Sequence, residues 1–545
     1  MRNISKWLIG LSLLAIFLVA CSKDNSQNEN KNNDEANQEA NTSEPVAGGE
    51  ISMPIAADPT FNTWHPNAYA ESNIVNRIIF TGLTKPGKDL TPAPALAEKW
   101  EASEDGLTWT FHLRENVKWH DGEPFTAEDV VFTFNNLVLD GSMGANGASN
   151  YKSLKEVTMV DEHTVEFHLE RPWAALPAYL AFNSEIMPKH KLGEGDPWNN
   201  TDFNKKNPMG TGPYKIESFL PGQSVILVKN EDFYEGVPNL DKVTYKIVPD
   251  ANTQIAQAFS KELDYFVLED MSALKRIESS KDLEVTSADI TRYFWIALNH
   301  EDERFKDVRV SQAITHAIDR QAIIDSVMQG YGTIAHGPIT PDQEVYYTDE
   351  VEQYPYDVEK AKQLLAEAGW EDTNGDGIVE KDGKPFTITF DIAIQGDLER
   401  IAQLVQQYLI EAGIDVKLNV LEWNAMIQKD IIERDYEMLL NWWSYPTDPD
   451  VYAQYSSENA GTGNNIPGYK DPKLDELLSK GQATSDQEER AAIYREVQEY
   501  MSETLPYIYL WYPKELQLRN SKLKGLPDMY YGATLHYIHE WYLEN

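Results

Sequence analysis

The chain has 545 residues, 41% of them hydrophobic and 25% charged, with a formal net charge of −41. That length and apolar content suffice for two or three lobes with cores of their own, and the acidic excess argues against a nucleic-acid partner, because phosphate contacts need clustered Lys and Arg. With a single cysteine there is no intrachain disulfide and no thiolate metal cluster.

Arg2 and Lys6 give the chain a positive start, and Trp7 to Val19 is an apolar run too short to span a bilayer comfortably. Residues 1–20 therefore read as a secretory leader. Small Ala20 precedes the lone Cys21, as in a bacterial lipobox, which makes Cys21 the expected lipidation site and its lipid the expected membrane tether. The competing reading is an ordinary buried cysteine. Residues 21–49, rich in Asn, Glu, Gln, Asp and Ser, bury too little apolar surface to offset the entropy of ordering and are expected to form a disordered tether. No later apolar stretch is long enough to cross a membrane.

The body begins with a strand at Ile51 to Ile55, a turn-rich loop from Asp58 to Ala70, and an amphipathic helix at Ile74 to Leu83 with Ser72 as its N-cap. Leu107 to Leu113 alternates as one arm of a hairpin turning at Glu104-Asp105-Gly106, and Thr164 to Leu169 alternates again. Between them Thr126 and Asp129 open a helix over Ala127 to Leu139 in the capping manner. Gly210-Thr211-Gly212 introduces strands at Tyr214 to Phe219, Ser224 to Lys229 and Val243 to Ile247, and a helix follows at Ala251 to Ser260. After Arg292 helices and strands alternate, with helices at Val308 to Met328, Val358 to Glu367, Leu398 to Ala412 and Trp423 to Arg434. The strands are Phe386 to Ile394, Val416 to Leu421 and Glu437 to Trp442, which predicts a second α/β lobe. Pro472 to Glu503 reads as helix broken near Thr484, and Tyr507 to Tyr512 as a short aromatic strand.

Ala95-Leu96-Ala97-Glu98-Lys99-Trp100, Asp105 to Phe111, Val117-Lys118-Trp119-His120-Asp121-Gly122 and Phe125 to Phe132 together resemble the signature of family 5 solute-binding proteins, the extracytoplasmic peptide, dipeptide and nickel receptors of ABC importers. Pro208 to Tyr214, Phe305 to Ile314 and Asp357 to Gly369 add to the resemblance, which runs from about Gly49 to Trp541. Within the family the chain is most similar to long-oligopeptide receptors of Gram-positive bacteria, through Ala368 to Ile378. The resemblance implies an α/β, two-lobed, periplasmic-binding-protein-like fold of type II, cluster C, with an extra subdomain in the first lobe. On that template residues 50–82, 208–292 and 513–545 form the core of lobe I, 83–207 the extra subdomain, and 293–512 lobe II.

Dipeptide receptors of the family hold the ligand amine with an Asp three residues after a tryptophan. Counted from Trp443, that place is Pro446, and the spacing to the Asp-Pro turn is one residue short. Asp448 is the nearest substitute, either as an amine anchor or as a structural turn before Pro449. The carboxylate-clamping arginine has no match around Gln395 to Arg400. Loss of both clamps predicts longer peptides held through their backbone at strand edges. Trp423, Trp443, Ser444 and Tyr445 in the second lobe, Tyr69 and Glu71 in the first, and Asn299 beyond the strand Phe294 to Leu298 are the candidate ligand contacts. For the aromatics, plain core packing is the alternative.

Asp372, Asn374 and Asp376 resemble the start of a calcium loop, but Gly383 stands where a bidentate Glu is needed; Glu380 and Asp382 offer partial compensation, and a solvated β-turn is the alternative. No other cofactor is expected. The chain has no HExxH, GxSxG or P-loop, so it reads as a receptor and not an enzyme. The expected partners are an oligopeptide, the membrane, and an ABC permease with its ATPase subunits, with the receptor itself a monomer on the extracytoplasmic face. The rival readings are the same fold holding a nickel chelate or an oligosaccharide, an extracellular hydrolase, or a chaperone-like surface protein.

Overall fold

The structure, a computed structural model, describes residues 47–545 apart from 69, 141–144, 146, 462–463, 545 and the side chain of 149. The leader, Cys21, most of the expected tether and Tyr69 lie outside the described residues. Among the described residues no helix is long and apolar enough to cross a membrane.

Alternating apolar residues build the first half. Strand β1 (Glu50–Ile55) is followed by helix α1 (Ala70–Ile79), then by β2 (Ala97–Ala102), β3 (Thr108–Leu113), β4 (Leu154–Asp161) and β5 (Thr164–Leu169), an antiparallel sheet in the order β2-β3-β5-β4. Phe111 and Phe167 meet on its buried face with ring centroids 5.2 Å apart. Strands β6 (Tyr214–Leu220), β7 (Ser224–Lys229) and β8 (Lys242–Ile247) join β1 in a second sheet, β1-β8-β7-β6, with β1 parallel to β8. The two sheets share a core that includes Trp64, Phe134, Phe167 and Tyr245. Residues 83–207 thus have their own sheet without a separate core.

Two local features explain parts of the sequence signature. The Thr126 hydroxyl and the Asp129 carboxylate reciprocally cap the helix that begins at Ala127. Gly210 runs against the end of α1, where an added Cβ would fall 1.8 Å from the Ile79 carbonyl oxygen. Only glycine fits that approach. Ser72 does not cap α1; it lies inside the helix, and its hydroxyl accepts the Thr60 N–H at 2.9 Å.

Apart from three short two-stranded pairings, the other strands are β9 (Tyr265–Val267), β10 (Leu283–Asp289), β11 (Arg292–Leu298), β12 (Gly332–Ile334), β13 (Thr387–Ala393), β14 (Asp415–Leu421), β15 (Met438–Ser444) and β16 (Ile508–Asn520). They form one sheet, β9-β16-β11-β15-β13-β14, with β10 and β12 also paired to β16. Around it pack α2 (Val308–Ala317), α3 (Arg320–Val327), α4 (Leu398–Glu411), α5 (Trp423–Met426), α6 (Pro472–Ala483) and α7 (Gln487–Thr504), in a core whose fully buried members all fall between Tyr293 and Tyr512. The helix expected from Val308 to Met328 is broken at Ile318, which is extended; Asp319 then caps α3 by accepting the Ala322 N–H at 2.9 Å.

The aromatic strand near the C-terminus is longer than its sequence indicates. β16 continues past Pro513, pairing with β11 and β12 before it and with β9 and β10 after it. The chain therefore passes between the two halves twice, within β16 and at the link from β10 to β11.

Candidate functional site

The parallel strands β13 and β14 and the end of β15 point their carboxyl ends toward the first half, the position where open α/β sheets bind ligands. β15 is antiparallel to β11 along its whole length but meets β13 only at Phe390↔Met438 and Asp391↔Leu439. Beyond that point its other side has no strand partner among the described residues. The register fixes which groups face that open side. Tyr445 donates its N–H to the Thr291 carbonyl at 3.0 Å, and antiparallel bonded pairs recur every second residue, so the next bonded positions along β15 are Trp443 and Asn441, both with their backbone turned toward β11. The backbone groups of Leu440, Trp442 and Ser444 consequently point outward. The Trp442 N–H is met at 2.8 Å by the Asn441 side chain.

Side chains divide by the same alternation. On one face Arg292 lies opposite Ser444 and donates from Nε to its Oγ at 2.8 Å. Phe294 lies opposite Trp442, with ring centroids 5.9 Å apart. Trp423 packs on Trp442 at 5.4 Å, and Trp511 stacks on Phe294 at 4.8 Å. Trp423 is placed by the start of α5, where Glu422 accepts the N–H groups of Asn424 and Ala425. Arg292, Phe294, Trp423 and Trp442 are half-buried, Ser444 is exposed, and Ile394 just past β13 is 65% exposed. This face offers aromatic surface, a hydroxyl and a guanidinium beside an open backbone edge.

The opposite face is closed. Trp443 packs on Trp295 at 5.9 Å, and Tyr445 is buried with its phenol oxygen 2.5 Å from that of Tyr293, which in turn is 2.7 Å from that of Tyr455. Burial raises the pKa of all three phenols far above the ordinary value, so they stay neutral. Just beyond, Asp448 receives two hydrogen bonds of 2.6 Å from the Arg490 guanidinium in a buried pair. Asp450, buried, has its pKa raised by desolvation and by the Asp448 charge. It accepts from the Trp173 indole at 3.1 Å and the Gln482 amide at 2.9 Å.

Trp173 belongs to the first half, and its neighbour Ala174 donates to the Gln482 carbonyl at 2.8 Å, while Arg171 pairs with Glu458 at 2.9 Å. These three contacts tie the halves together beside the closed face. A cavity of about 520 Å³ lies on that side too, lined by Leu90, Ala288 and Tyr530 of the first half and by Tyr346, Thr447 and Asp448 of the second.

Of the residues singled out from the sequence, the structure brings Trp423 and Ser444 to the open face. Trp443 and Tyr445 belong to the closed face, and Asp448 is committed to Arg490. Asn299 follows the far end of β11, roughly 20 Å along the strand from Arg292, where its amide donates to the carbonyls of Arg434 and Tyr436. It holds a turn and does not reach the site. Glu71 stands half-buried in the first turn of α1. Around the acidic loop, Asp372 accepts the N–H groups of Gly375 and Gly377, and Asp376 accepts that of Ile378, so these carboxylates fold back on the loop's own backbone.

Arg292, Phe294 and Trp442 were missed. A signal for Trp442 was present: counted from Trp442 instead of Trp443, the interval to Asp448-Pro449 loses its one-residue deficit. The position three residues on is then Tyr445, a buried phenol, and no carboxylate stands there.

An α/β architecture of two halves joined by two chain crossings, with an open strand edge near the crossing, is that of an extracellular solute-binding protein. The model for bacterial extracellular solute-binding proteins, family 5, matches residues 91–464, and the chain belongs to that family. It is 34% identical over 541 residues to the oligopeptide-binding protein AppA of Bacillus subtilis (strain 168), covering 98% of this chain and 97% of that one. The solved structure of B. subtilis AppA in complex with a nonapeptide superimposes with a TM-score of 0.77 at 33% identity, over 92% of this chain and 100% of that one. NikZ from Campylobacter jejuni in complex with Ni(L-His) superimposes with a TM-score of 0.75 at 26% identity, over 91% of this chain and 99% of that one.

Proposed function

We propose that this protein captures oligopeptides between its two halves and hands them to an ABC permease driven by partner ATPases. The observation that carries the reading is the outer edge of β15 at Leu440 to Ser444, which has no strand partner among the described residues and is flanked by Trp442 and Trp423. An extended peptide adds to such an edge through main-chain hydrogen bonds that every sequence supplies, and aromatic walls accept varied side chains. The likeness to AppA, solved with a nonapeptide, supports the same ligand class. Contacts to ligand from both halves would shift an open–closed balance about the two chain crossings.

The sequence Leu18-Val19-Ala20-Cys21 supports a mature chain anchored by lipid on Cys21 and facing the outside of the cell. We assign the protein no catalytic role and no cofactor. Titration calorimetry of the chain from Gly49 onward with peptides of three to ten residues, and with nickel–histidine as the competing ligand, tests the proposal. Heat from the peptides is the expected result; saturation by nickel–histidine with no response to any peptide would replace it.

A further inference from the structure

Building on the peptide reading, we infer that Arg292 selects for a ligand carboxylate at the hinge end of the β15 edge. Among the described residues this guanidinium has no ion-pair partner, a trait it shares with Arg77, Arg276, Arg320, Arg400, Arg434 and Arg495; what sets it apart is its place opposite Ser444, at the end of the open β15 edge. Arg304, Arg309, Arg490 and Arg519 each hold a carboxylate. Among the described residues Arg292 has one hydrogen bond, from Nε to the Ser444 hydroxyl, which fixes the plane of the fork and leaves its two terminal nitrogens without an acceptor there.

The carboxylates nearest in effect are Glu515 and Glu269, which act on Arg292 only at longer range. Glu515 is already engaged by the Tyr531 N–H and the Gln517 amide, and burial raises its pKa, which weakens it as a counter-charge. Arg292 shares a face with Phe294 and Trp442 and sits beside the exposed Ser444, where the open edge ends. A planar, half-buried fork with free N–H groups matches a carboxylate bidentately, and a lysine would not reproduce that geometry. The carboxylate has two possible sources with one chemistry, the peptide's C-terminus or an Asp or Glu side chain.

Calorimetry separates these with hexa-alanine as the free acid, hexa-alanine amide, and amidated hexapeptides carrying one Glu or one Gln at each position in turn, titrated into the wild type, R292Q and R292K. The inference expects the wild type to bind at least one carboxylate peptide about 10-fold or more tighter than its uncharged counterpart. R292Q should bring the two to the same affinity, and R292K should recover only part of the difference. Preference for the free acid identifies the C-terminus; preference for a Glu peptide identifies the side chain. Melting curves of R292Q matching the wild type separate loss of recognition from loss of fold. A wild type indifferent to the carboxylate, or an R292Q variant weakened equally for acid and amide, overturns the inference while leaving the peptide reading in place. A wild type that binds none of these peptides removes both.

Discussion

The two faces of β15 differ in what their polar groups already hold. Toward one side Tyr445 and Asp450 are buried and Asp448 half-buried, and all are bonded, to Tyr293, to Trp173 and Gln482, and to Arg490 respectively. Toward the other, Ser444 is exposed, and among the described residues Arg292 has a single hydrogen-bond partner and the backbone of Trp442 and Ser444 faces no strand. On the proposed reading, alternation along one strand assigns stability to one set of side chains and recognition to the next. The same reading gives the neighbouring Trp442 and Trp443, both half-buried, different roles.

The largest effect should come from breaking the closed face. Asp448→Ala or Arg490→Ala leaves a buried charge without its partner and is expected to lower stability by about 3–5 kcal/mol. A melting temperature unchanged from the wild type would contradict the assignment of Asp448 to structure.

Acid sharpens the comparison by acting on stability alone. Desolvation lowers the pKa of His120 and of His300 to about 4, and His120 is fixed between the Gly210 N–H and the Gly212 carbonyl. A histidine with a depressed folded pKa stabilises fully above its unfolded pKa of about 6.5, and that contribution is lost as pH falls toward about 4. Each should cost about 2 kcal/mol between pH 7 and pH 5. Denaturant titrations at the two pH values measure it, and His120→Gln should shrink the difference.

On the open face, Trp442→Ala is expected to weaken peptide binding by about 2 kcal/mol, roughly 30-fold, with little change in melting temperature. Trp443→Ala should show the reverse pattern, since its ring packs against Trp295. Equal effects of both substitutions on affinity would erase the distinction between the faces. The smallest effect belongs to the contacts between the halves: Trp173→Phe removes one indole hydrogen bond to Asp450. It should speed peptide dissociation about 5-fold, for a loss of about 1 kcal/mol, in stopped-flow measurements.

Much of the fold was legible from periodicity. The alternation of Thr108 to Leu113 and Thr164 to Leu169, the helical run from Leu398, and the Thr126–Asp129 cap all appear in the structure. What local pattern missed depended on pairing. Pro513 reads as the end of a strand because it lacks an N–H, yet it sits where β16 passes from one set of partners to the next. Ile318 is apolar and in phase with the helix, so the break before Asp319 left little trace apart from the Asp itself. At the site, which of two adjacent tryptophans shares a face with Arg292 and Phe294 is a question of strand register, which composition does not carry. Arg292 was overlooked because an unpaired cation is recognised only once its neighbours in space are known.

The central claim is that peptide main chain completes the sheet at β15. Determining the crystal structure of the protein with hexa-alanine tests it most directly. The account predicts an extended ligand hydrogen-bonded to the backbone of Trp442 and Ser444, with Trp423 alongside. A peptide lodged instead in the cavity beside Asp448 and Tyr530, with the β15 edge still unpaired, would contradict it.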